Sequence, residues 1–83
     1  MKVKVTADHI VRGTPGECTS CPIALAIREQ YGYDNVDVTE RAADVEGDYI
    51  LLPAEAQRFV YRFDQGLSVD PFEFEIDYEG DEA

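Results

Sequence analysis

Phe72-Glu73-Phe74-Glu75-Ile76-Asp77-Tyr78-Glu79 alternates a large apolar residue with a carboxylate at every step. A period of two is the pattern of a half-buried β-strand, because successive side chains leave a strand on opposite faces. Phe72, Phe74, Ile76 and Tyr78 are expected to face a core. Glu73, Glu75, Asp77 and Glu79 are then expected to stand in a row on the solvent side. With a rise of about 3.3 Å per residue, row members are spaced roughly 6.6 Å apart. Negative charge ruled at that interval can imitate the phosphates of a nucleic-acid backbone. The same row also suits an ordinary solvated sheet face.

Working outward, the rest of the chain supplies partners for such a strand. Lys2-Val3-Lys4-Val5-Thr6 alternates in the same way. Ala7 to Arg12 reads as a short helix stopped at Gly13, and 13–17 as a loop. A longer helix is expected to start near Thr19 or Ser20, either of which can cap it. Pro22 sits in its first turn, where a missing N–H costs nothing. Ile23, Ala24, Ala26 and Ile27 form its apolar face, and Gly32 closes it. Val36 to Thr39 reads as a strand. Ala42 to Glu46, turning through Glu46-Gly47-Asp48 into Tyr49 to Leu52, suggests a hairpin. Pro53 opens a helix over 54–65 with an inward stripe of Ala56, Phe59, Val60 and Phe63. The fold expected is α+β: one domain over 1–83, with a four-stranded antiparallel or mixed sheet and two main helices packed on one face. Residues 79–83 are expected to form a frayed acidic tail.

The chain has 83 residues and a net charge of −11, which bounds its function. Its size fits a small core rather than a deep pocket. Residues 1–32 carry four basic and three acidic side chains, whereas residues 33–83 carry three basic and fifteen acidic ones. Direct binding to nucleic acid or to an anionic membrane is disfavoured, because phosphate contacts need clustered Lys and Arg. A basic partner is favoured, and basic grooves on proteins commonly hold nucleic acid. Asp37, Asp44, Glu46 and Asp48 would widen the acidic surface. The plainer alternative is that the charge serves solubility or halophilic adaptation, in a small structural or regulatory module. No apolar run approaches the roughly 20 residues of a membrane span. Met1 to Val5 alternates too regularly for a signal peptide. A cytoplasmic location is expected, as monomer or dimer.

Catalytic motifs are sparse. Cys18-Thr19-Ser20-Cys21 could be a redox pair at a helix start, yet a Gly/Pro loop precedes it where a redox βαβ unit has a strand. A zinc-stabilised module could use Cys18, Cys21 and His9, with Asp8 or Glu17 as the fourth ligand. The plain reading is two small groups that tie the loop to the core. Ser20 and Ser68 lack the surroundings of a nucleophilic serine, and no P-loop or dinucleotide fingerprint is present. No catalytic residue, cofactor or metal is assigned, and the chain is expected not to be an enzyme. Arg58 and Arg62 lie one turn apart on the last helix. They are expected to pair with local acids such as Glu55 or those of the tail, or else to orient part of the acidic surface. The five tyrosines are many for this length, and exposed ones could anchor an interface.

His9-Ile10-x-x-Gly13 followed by Cys18-x-x-Cys21-Pro22-Ile23-Ala24-Leu25-Ala26 resembles short phage and prophage proteins. Leu52-Pro53-x-Glu55-Ala56 and Pro71-Phe72-Glu73-Phe74 look like the same class. The overall type, tiny, acidic and single-domain without catalytic motifs, is similar to anti-CRISPR and anti-restriction proteins. That resemblance implies a phage-type inhibitor acting as a DNA mimic in the DNA- or PAM-reading groove of a defence complex. Its partner would be a basic nucleic-acid-binding protein such as a CRISPR effector subunit. Glu73, Glu75, Asp77 and Glu79 would replace phosphates there, flanked by Asp37, Asp44, Glu46 and Asp48.

Overall fold

A computed structural model describes residues 1–78. The element order is β1 (Lys2–Val5), α1 (Ala7–Arg12), α2 (Pro22–Tyr31), β2 (Val36–Val38), β3 (Ala42–Val45), β4 (Asp48–Leu51), α3 (Ala54–Asp64) and β5 (Phe72–Glu75). The α+β class is as expected, but five strands form two antiparallel sheets instead of four strands in one. One sheet is the ribbon β1-β5, and the other is the meander β2-β3-β4.

The edges explain the division. The outward backbone groups of β1 are taken by α2. Gln30 accepts from the Lys4 N–H through Oε1 and donates to the Lys4 carbonyl through Nε2. Tyr31 donates its hydroxyl to the Lys2 carbonyl. Two outward groups on the edge of β2 are also taken: the Val38 N–H donates to the Cys18 carbonyl at 2.9 Å, and Arg28 Nη1 donates to the Val36 carbonyl at 3.4 Å. An edge whose N–H and C=O groups are already bonded cannot accept another strand.

Helix α2 therefore stands between the sheets, in contact with β1, β2 and α1. Helices packed on one face of one sheet is thus corrected. Ile23, Ala24, Ala26 and Ile27 are each 0% exposed, so the helix is apolar around most of its girth, as an internal helix is. One core joins Val3, Val5 and Phe74 of the ribbon to Val36, Val38, Val45 and Ile50 of the meander. To the same core α3 contributes Ala56, Phe59, Val60 and Phe63. Phe59 stacks on Phe72 at 4.8 Å between ring centroids, and Phe72 on Phe74 at 5.2 Å.

Local signals set the helix ends. The α2 cap is Cys21 rather than Thr19 or Ser20: its Sγ accepts from the Ala24 N–H at 3.5 Å. A sulfur is a weaker acceptor than a hydroxyl, but the site is buried, and a buried apolar thiol costs nothing to desolvate. Pro22 occupies the first helical position and Gly32 the left-handed C-cap, φ 74°. Between β3 and β4 the two turn residues Glu46 and Gly47 both have positive φ, 52° and 92°. That is the turn whose twist matches a two-residue hairpin.

Candidate functional site

The carboxylate row lies on the open face of the β1-β5 ribbon. Glu73, Glu75 and Asp77 are exposed, while Phe74 and Ile76 are buried as the alternation requires. Glu79 lies outside the described residues, as does the expected acidic tail. The register gives the row an unforeseen neighbour. Lys4 stands opposite Glu73 and Lys2 opposite Glu75. Met1 and Ile76 exchange N–H to C=O bonds at 2.9 Å. Alternation from that pair makes Lys4–Glu73 and Lys2–Glu75 non-hydrogen-bonded pairs, whose side chains approach most closely. Opposite charges at that separation attract, so two members of the row face cations of the same chain.

The second group of acids divides. Asp37 and Asp44 face each other directly across β2 and β3, and Tyr49 lies opposite Asp44 on β4. Like charges placed directly opposite destabilise a sheet. Asp44 Oδ1 accepts from the Gly47 N–H at 3.0 Å, and Asp37 is exposed. Around them the open face carries Tyr49, 69% exposed, and Leu51, 67% exposed. A shallow cavity of about 360 Å³ on this face is bordered by Cys18, Asp37, Thr39, Ala42, Asp44 and Tyr49. Glu46 is engaged elsewhere: its Oε2 accepts from the backbone N–H groups of Asp34 and Asn35 at 2.8 and 3.0 Å. Those bonds hold the Glu46 carboxyl below its ordinary range, the Asn35 bond contributing most. Asp48 sits at the hairpin, exposed, paired in register with Val45. The expected footprint is therefore two surfaces, one on each sheet, with Glu46 turned to structural use.

A third cluster was not foreseen in its full extent. His9 is buried, and its Nδ1 accepts from the Thr6 N–H at 3.0 Å. The ring proton is thereby assigned to Nε2, which donates to Glu29 Oε1 at 3.0 Å. Glu29 Oε2 pairs with Arg12 at 2.7 Å, and Arg12 pairs with Asp8 at 2.8 Å. Thr6 Oγ1 lies 3.1 Å from His9 Nδ1, so hydroxyl, imidazole and carboxylate are aligned as in a catalytic relay. The backbone shows another purpose. Thr6 caps α1 by accepting from the His9 N–H, and His9 closes a capping box in the place of the usual Glu or Gln. With Nδ1 facing a backbone donor, the ring has no free base directed at the hydroxyl. The cluster fastens α1 to α2.

The cysteines also separate. Cys18 is exposed, Cys21 is buried, and both are free thiols. Burial is the chief cause that pushes the Cys21 thiol up to about 11, opposite to the depression a redox or metal-ligating cysteine needs. His9 is turned to Glu29, away from the role of third zinc ligand. Among the described residues no group of three His, Cys, Asp or Glu side chains is placed to hold a metal ion. Among the same residues no helix is long and apolar enough to cross a membrane. Compared with known proteins, the chain matches no family, no curated protein and no solved structure.

Proposed function

We propose that this chain is a non-enzymatic inhibitor of a defence complex, of the anti-CRISPR type, that occupies a basic DNA- or PAM-reading groove as an acidic mimic. The observation that carries the reading is the open face of β2-β3-β4. Two aspartates oppose each other there beside exposed Tyr49 and Leu51, and among the described residues no Lys or Arg borders the cavity they line. A cation supplied by a partner would relieve the repulsion, and the tyrosine and leucine would contribute apolar contact. Glu73, Glu75 and Asp77 would form a second contact strip, attenuated by Lys2 and Lys4.

The test is competition with target DNA on purified effector complexes, run at low and moderate salt. Blocking at near-equimolar ratio that salt relieves is expected. Reversing Asp37→Lys with Asp44→Lys should weaken the block more than Glu73→Lys with Glu75→Lys. Both should exceed Glu17→Lys with Glu55→Lys, and equal losses from all three pairs would sink the assigned surface. A second reading has its own observation. Lys2 and Lys4 opposite the row, and Glu46 bonded to the backbone, suit a small module whose acids serve solubility or life at high salt. That reading gains if no complex responds at either salt.

A further inference from the structure

Among the described residues, three of the five arginines have partners. Arg12 pairs with Asp8 and Glu29, Arg28 donates to the Val36 carbonyl, and Arg62 donates to the Ser68 carbonyl through Nε and Nη2. The guanidinium groups of Arg41 and Arg58 have no hydrogen bond or ion pair among the described residues. Arg58 does not take Glu55, and the tail acids expected as the other local partners lie outside the described residues. Both of these arginines border one open cavity of about 400 Å³, completed by Glu40, Ala54, Gln57 and Tyr61.

The two walls are joined. Ala54, Gln57, Arg58 and Tyr61 lie within three or four residues of one another along α3 except for the outermost pair, on the side away from its core stripe. Arg41 stands on the turn between β2 and β3, where Thr39 Oγ1 accepts from the N–H groups of Arg41 and Ala42 at 3.3 and 3.2 Å. Leu52 ties turn to helix: its N–H donates to the Arg41 carbonyl at 2.9 Å, and its own carbonyl accepts from Gln57 Nε2 at 2.8 Å. Among the described residues Glu40 is the one bordering carboxylate, so their side chains give the cavity a net positive charge on a chain of net charge −11. Guanidinium forks match phosphoryl oxygens in planar, two-point geometry. Tyr61, 51% exposed, offers a ring face beside them.

We propose that this groove binds the phosphate of a small phosphate monoester bearing a flat ring, with Arg41 and Arg58 holding the phosphoryl oxygens and Tyr61 contacting the ring. The site is separate from the acidic sheet faces and stands or falls without them. The test is a ¹H–¹⁵N titration of the full chain at fixed pH and ionic strength, with inorganic phosphate, acetate, adenosine and adenosine monophosphate as probes. Saturable shifts at Arg41, Gln57, Arg58 and Tyr61 are expected with phosphate, tighter ones with adenosine monophosphate, and none of that pattern with adenosine. Removing one charge-assisted donor in Arg58→Ala or Arg41→Ala should lower affinity about tenfold. Both side chains are exposed. Should either variant lose its native spectrum, Arg58→Lys, which keeps the charge but not the fork, should still weaken the monophosphate. Unsaturable shifts, shifts unchanged in the variants, or an acetate response equal to phosphate would each overturn the proposal.

Discussion

Burial sets the chemistry of Cys21 apart from that of Cys18. Desolvation favours the neutral thiol of Cys21, raising its titration to about 11, whereas an unfolded cysteine ionises near pH 8.5. A raised folded value gives stability that is complete below the unfolded value and lost as pH rises through the folded one. Thermal stability is therefore expected to fall between about pH 9 and 11, and Cys21→Ala to flatten that fall while costing some stability at neutral pH. Thiol labelling should modify Cys18 in the native protein and Cys21 only on unfolding. Glu29 has the opposite sign. Arg12 first, then His9, holds its carboxyl below the ordinary range. Its stabilisation is present above the usual carboxylate value, near 4.3, and disappears as pH falls through the depressed folded value. Glu29→Gln, which keeps an acceptor for His9, should make the urea midpoint fall less steeply across that acid window.

Among the elements, the edge of β1 at Lys4 is held by one side chain that behaves as one residue of a neighbouring strand. Gln30 supplies one donor and one acceptor to Lys4. Gln30→Ala should destabilise the protein by about 1 kcal/mol, lowering the midpoint of thermal unfolding by roughly 5 °C. The strands β1 and β5 were legible, though not their pairing, because alternation such as that of Phe72 to Tyr78 needs no knowledge of a partner. The turn at Gly47 and the helix ends at Pro22 and Gly32 were legible for the same reason, being local backbone requirements. The split into two sheets was not, because an amide that satisfies a strand edge leaves no periodic trace in sequence. The cap at Cys21 was missed because the hydroxyls of Thr19 and Ser20 are the better cappers, and only burial selects the thiol. Of the candidate site, the identity of the acids was readable. Their neighbours were not: Lys2 and Lys4 lie some seventy residues from Glu75 and Glu73, and register over that distance is a tertiary fact.

For the molecule as a whole, a net charge of −11 on 83 residues means self-repulsion in the folded state. Salt with a Debye length of about 8 Å at physiological strength screens it. The melting temperature should rise from low salt toward molar sodium chloride, and a flat or falling trend would mean that specific ion pairs outweigh repulsion. Helix α2 has one more consequence. Because Gln30 and Tyr31 hold β1 while Arg28 and the Cys18 loop close β2, neither sheet can detach without disturbing the same helix. Ribbon and meander then melt as a single foldon. Under native conditions, amide protons in the middle of α2, those of Ala26 and Ile27 among them, should exchange with deuterium only through complete unfolding, at the same opening free energy as those of Val3 and Ala43.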